Sequence, residues 1–165
     1  MIIRAEAQPD REMIAAITSA AFGLATQSGG NEAAIVDALR EAGALTVSLV
    51  AEEQGRVVGH VAFSPVRVDG AEGRWFGLGP VSVLPERQRA GIGSALIRAG
   101  LERLRASGAD GCVVLGDPAY YARFGFVSDP AVTYGGGASD HFRRLVFAGA
   151  APVGDVAYHP AFASG

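Results

Sequence analysis

Lysine is absent: all 14 basic residues of this 165-residue chain are arginine. Two readings fit, the coding preference of a GC-rich genome and a demand for bidentate guanidinium contacts. No run of basic residues is long enough to track a phosphate backbone, and the net charge is −3, so nucleic acid is not expected as a partner. A single cysteine, Cys112, excludes an internal disulfide and fits a reducing compartment. Long apolar runs are missing too. No stretch approaches the roughly 18 residues of a membrane span, and MIIRAEAQPDREMIAA carries charges where a signal peptide would be apolar, so the expected address is cytoplasmic. His141 and His159 lack metal-ligand spacing with any Cys or carboxylate, and no metal is expected.

Glycine is abundant instead, at 23 residues, in a chain that is 49% hydrophobic and 19% charged, the balance of one globular domain spanning 1–165. Residues 2–5 read as a strand. Asp10 is placed to cap a helix carrying Met13, Ile14, Ile17 and Ala21, and after the TQSGG loop Asn31 is placed to cap a second with Ile35, Val36 and Leu39 on one face. Residues 45–52, 56–68 and 74–84 read as strands, the last interrupted by Pro80, which cannot donate to a ladder and predicts a bulge. A helix opening at Gly91 carries Leu96, Ile97, Leu101 and Leu104 and stops near Gly108. The apolar run 111–115 follows as a covered strand, then a short helix from Pro118 to Phe124, with weak strands near 143–147 and 153–158. The plan is α+β, a strand–helix–strand unit inside a mixed, mostly antiparallel sheet.

The stretch PERQRAGIGSAL at 85–96 puts Gly91 and Gly93 at the mouth of that helix. A helix N-terminus presents unpaired N–H groups and the positive end of the dipole, and side chains at those positions would hold an anion away. Gln88-x-x-Gly91-x-Gly93 therefore fits a phosphate cradle, although a glycine turn also serves tight packing. No Gly-Lys-Ser/Thr follows, so it is not a P-loop, and it does not match the dinucleotide fingerprint.

Strand, Gln-x-x-Gly-x-Gly, long helix, apolar strand and YYARFGF together resemble the GNAT N-acetyltransferase superfamily over residues 75–126. GLGPVSVLPERQRAGIGSALI and VLGDPAYYARFGF are similar to its YhbS-like subgroup. The resemblance implies a GNAT-like sheet with a splayed strand pair flanked by helices. It implies acetyl-CoA as the donor co-substrate and an amine acceptor, either a small molecule or a protein amino group; a homodimer is common in the superfamily. Backbone amides of residues 89–94, that is Arg89, Ala90, Gly91, Ile92, Gly93 and Ser94, would hold the pyrophosphate, with Gln88 and Arg89 at the rim and Ser94 at the first helical turn. Val81, Ser82 and Val83 would lie along the pantetheine arm, and Tyr121 would hand a proton to the departing thiolate. Tyr121 also suits the core beside Phe124 and Phe126. The carboxylate that many relatives carry on the central strand is missing: residues 74–84 hold no Asp or Glu. His60, Glu86 and Asp117 stand as weak candidates for a base, and none is assigned. The alternative function is a non-catalytic acyl-CoA-binding sensor or assembly module of the same fold.

Overall fold

The computed structural model describes residues 1–23, 31–137 and 139–163; the TQSGG loop at 26–30 lies outside them. Among these residues lie eight strands, β1 (Ile2–Ala5), β2 (Val47–Glu53), β3 (Arg56–Val68), β4 (Trp75–Val83), β5 (Gly111–Leu115), β6 (Val132–Tyr134), β7 (Phe142–Val146) and β8 (Gly154–Tyr158), and four α-helices. The helices are α1 (Arg11–Gly23), α2 (Glu32–Glu41), α3 (Ile92–Ala106) and α4 (Pro118–Ala122). The sheet runs β1-β2-β3-β4-β5-β7, with β8 on the far end of β3 and β6 on β8. Only β4–β5 and β6–β8 are parallel, which gives the mixed, mostly antiparallel sheet expected.

The two faces of β3 are covered by different helices. Gly59 and Phe63 face α3, where Gly59 admits Leu96 and Ile92 and the Phe63 ring fills the space a side chain at Gly100 would need. The intervening His60 points the other way, toward Ser48 and the Glu6–Arg40 ion pair that reaches α2. Ile14, Ile17, Leu49, Phe63, Leu96, Ile97 and Leu104, almost wholly removed from water, form the centre of the core. Trp75 is buried in a second cluster with Val113, Val132 and Phe142, so it packs and does not line a cleft.

Two expected caps differ in detail. The Asp10 carboxylate turns back to accept from the Ala7 amide at 2.7 Å and pairs with Arg4, so it fastens the entry to α1 to β1 and does not cap α1 itself. Asn31 sits at the N-cap of α2, but its side chain makes no capping bond. Asp117 does cap α4, accepting from the Ala119 amide at 3.1 Å. Among the described residues, no helix is long and apolar enough to cross a membrane.

Candidate active site

Pro80 bends the register of β4. Val61 faces Val81 and Phe63 faces Leu78, so β4 spends three residues where β3 spends two, and the extra residue falls at Gly79–Pro80. On the other side, β4 and β5 pair only from Trp75–Gly111 to Gly77–Val113. Beyond Leu78 the two parallel strands part, and the expected splay is present. The Leu84 amide bonds to Val58 in β3, and antiparallel alternation then aims the Ser82 backbone at β3 and the Val81 and Val83 backbone into the opening.

Below the splay, a cavity of about 520 Å³ is lined by Val81, Ser82, Val83, Gln88, Arg89, Gly91, Ile92, Gly93 and Ser94. Of the residues expected to hold the donor, only Ala90 is missing from this wall. Each element has a local reason for its place. Gln88 Nε2 donates to the Val83 carbonyl at 3.1 Å and ties the turn to the end of β4. Gly91 is the N-cap of α3 with φ of 83°, a left-handed conformation that favours glycine, and its carbonyl accepts the first helical bond from Ala95. That bond leaves the Ile92, Gly93 and Ser94 amides as the orphan donors of the first turn.

Gly93 is different from Gly91. Its φ is not in the left-handed region, and a methyl group built on it would meet only Tyr120 Oη at 3.5 Å and Val83 at 3.8 Å, ordinary contacts. The fold itself leaves room for a side chain there. Tyr120, Arg87, Arg123, Ala21 and Phe22 complete the wall. Tyr120 Oη lies 3.2 Å from Ser94 Oγ, and the Arg123 guanidinium stacks on the Tyr120 ring at 4.4 Å. Arg87 is held by Glu53 through two 2.8 Å bonds. Among the described residues, three arginines and no carboxylate line this cavity, on a chain whose net charge is negative. Sequence reasoning missed Arg123 and left Tyr120 open, although both lie in the YYARFGF segment it singled out.

Tyr121 faces a different space. It lines a second cavity, of about 690 Å³, with Leu78, Gly79, Pro80 and Val81 of the bulge and Leu115 at the end of β5. Val81 and Phe22 border both cavities, so the two meet at the splay. The Tyr121 ring lies against Gly116, packs edge-on against Phe126 at 6.0 Å, and is 9% exposed. Burial, reinforced by Tyr120, Cys112 and Asp117, pushes its hydroxyl up to about 12. Tyr121 thus belongs to the core and also borders the cavity at the splay. Glu32, Ile35, Tyr134, Tyr158 and Phe162 form the remaining wall of that cavity.

The weak candidates for a base fall away from both cavities. His60 is fully buried and bonds Ser48 Oγ at 2.7 Å, and burial lowers its pKa to about 4. Glu86 pairs with Arg56 at 3.5 Å, and Asp117 is occupied by its cap. Cys112 is buried without exposure, which pushes its thiol up.

The model of the family described as Acetyltransferase (GNAT) family matches residues 12–126. The uncharacterized N-acetyltransferase YhbS of Escherichia coli (strain K12) is 41% identical over 127 residues, 76% of this chain and 73% of that protein. Among solved structures, a GNAT family acetyltransferase from Brucella melitensis in complex with acetyl-CoA is 54% identical. It superposes with a TM-score of 0.88 over 98% of this chain and 97% of that one. Escherichia coli YhbS in complex with CoA is 35% identical, with a TM-score of 0.86 over 98% of this chain and 91% of that one.

Proposed function

Because this chain belongs to the GNAT acetyltransferase family, with relatives solved around acetyl-CoA and CoA, we propose that it moves the acetyl group of acetyl-CoA to a primary amine. The donor occupies the arginine-lined cavity, and the acceptor enters the aromatic one. Acetyl-CoA supplies a thioester whose carbonyl carbon bonds the amine nitrogen as its C–S bond breaks; the nitrogen gives up one proton and the sulfur takes one.

The chain's residues are suited to their parts in this reading. The Ile92, Gly93 and Ser94 amides, with the α3 dipole, bind the pyrophosphate, while Gln88 holds the turn and Arg89 and Arg123 add positive charge at its rim. Ala90 serves the turn by its backbone alone. The Val81 and Val83 backbone pairs with the pantetheine arm as a neighbouring strand would, with Ser82 fixed between them by its Oγ, 3.2 Å from Thr18 Oγ1. Tyr121 keeps its proton at neutral pH and gives it to the sulfur at the splay, where the cavities meet.

The observation that carries this reading is Gly93. The left-handed turn explains Gly91, but neither backbone angle nor packing demands glycine two residues later, so what needs the space lies outside the chain. Calorimetric titration with acetyl-CoA tests it directly. Micromolar binding to the native protein, lost in Gly93→Asp with folding retained, is the expected result. Equal affinity in both would remove the cradle.

A further inference from the structure

The acceptor cavity has a chemical character that acetyl transfer alone does not require. Its described wall carries one ionisable carboxylate, Glu32, and no arginine or histidine; the rest is aromatic and apolar, with Tyr121, Tyr134, Tyr158, Phe162 and Ile35 prominent. One carboxylate oxygen, Glu32 Oε2, is buried with no hydrogen-bond partner among the described residues. A carboxylate at the first position of α2 is favourable to the helix dipole, and that accounts for the residue type. It does not account for an oxygen turned from water and left unpaired, which costs free energy until a cationic donor arrives.

Resting on the proposed transfer, we infer that the acceptor is a small monoamine on an aromatic or bulky apolar body, an arylalkylamine by class, and that Glu32 recognises its ammonium group. The single carboxylate favours one positive charge and gives a polyamine or aminoglycoside no further anionic partner. The rings favour a flat apolar body and add cation–π attraction for an ammonium group beside Glu32. A volume of about 690 Å³ suits a ligand of this size. Tyr134 stacks on Phe142 at 5.5 Å and meets Tyr158 edge-on at 5.3 Å, so these two walls hold each other in place. Glu32 reaches the site from α2, a different element from the central strand on which many relatives carry a carboxylate, and it acts here as a recognition residue; the bound ammonium gives one proton to solvent to become the neutral nucleophile, and the nitrogen gives up its second as the amide forms.

Binding is measured first, by calorimetry of the CoA-saturated protein with 2-phenylethylamine, 2-phenylethanol and spermidine. The amine is expected to bind at least ten times more tightly than the alcohol or spermidine. Glu32→Gln should erase the amine's advantage while acetyl-CoA affinity stays the same. In a CoA-release assay with 2-phenylethylamine, Glu32→Gln should raise KM about ten- to a hundredfold, the range for losing a charged hydrogen bond, with a smaller change in kcat. Equal binding of amine and alcohol, a preference that survives Glu32→Gln, or tighter binding of spermidine or of a peptide amine would overturn the assignment. Absence of acetyl-CoA binding, with the amine preference intact in CoA-free protein, would overturn the transfer reading and with it the acceptor role, leaving only amine recognition by Glu32.

Discussion

Tyr121 has a hydroxyl pushed up to about 12 by burial, which at first sight suits a proton donor poorly. Against a solvated thiol of ordinary pKa about 8.5, the transfer would be uphill by about 5 kcal/mol. In the proposed geometry, however, the departing sulfur emerges beside the buried Tyr121 ring, where partial burial also raises the affinity of a thiolate for protons. The mismatch narrows, and Tyr121 remains neutral and able to donate across the working range. Tyr121→Phe is therefore expected to lower kcat by about 10²–10⁴-fold with acetyl-CoA affinity unchanged, as turnover and calorimetry on the same variant will read. The kcat profile should show no alkaline fall from this group below about pH 11; a Phe variant of full activity would return Tyr121 to the core alone. His60 makes the complementary case on stability. Burial lowers its pKa from 6.5 to about 4, so the unfolded chain takes up its proton first as the pH falls. Stability should be intact above about pH 6.5 and decline toward pH 4, by up to about 3 kcal/mol. Urea denaturation between about pH 6.5 and 5.5, above the range where the unfolded chain begins to protonate Glu6 and Asp10, should show the slope, and His60→Gln should flatten it.

At the scale of the element, α3 contains two glycines with opposite reasons to exist. Gly100 sits where the Phe63 ring fills the space of a side chain, whereas Gly93 faces ordinary distances. Gly100→Ala gains roughly 1 kcal/mol of helix propensity but drives a methyl into a buried ring, an overpacking that costs about 1–3 kcal/mol. Because Phe63 is fully buried against the sheet, net destabilisation is expected. Gly93→Ala should be neutral or stabilising by up to about 1 kcal/mol, yet weaken acetyl-CoA binding. The urea midpoint should fall for Gly100→Ala and stay level or rise for Gly93→Ala. The contrast also marks what sequence patterns carry. The α3 face, the Gly91 turn and the Pro80 bulge were legible because each rests on neighbours a few residues apart. β6 was missed because three residues, Val132–Tyr134, show no alternation to read, and they owe their strand to β8 across the fold. Asp10 looked like a cap because its partner Arg4 lies on another element. The aromatic cavity was illegible for the same reason: Glu32, Leu115, Tyr134 and Phe162 come from four distant segments, and only the folded sheet brings them to one opening.

Over the whole molecule, the splay in the sheet leaves β4 and α3 to line one cavity together, so a ligand there would bridge the sheet and a helix that packs across it. Anything that binds the native state alone raises its stability by mass action, about 2.7 kcal/mol at a hundred times Kd. For a domain of this length, each kcal/mol is worth about 2–4 °C of Tm, so saturating acetyl-CoA should raise Tm by about 5–11 °C. The net charge of −3 opposes an anionic ligand at long range, whereas Arg89 and Arg123 attract it within the cavity. At 0.15 M salt, with a screening length near 8 Å, the local arginines prevail, and raising the salt to 0.5 M should reduce the thermal shift because these side chains face solvent. Gly93→Asp should melt within a few degrees of the native protein without ligand and show no shift with it. If the variant instead shifts as far as the native protein, the stabilising contact lies elsewhere and the first turn of α3 is not where the donor's phosphates bind.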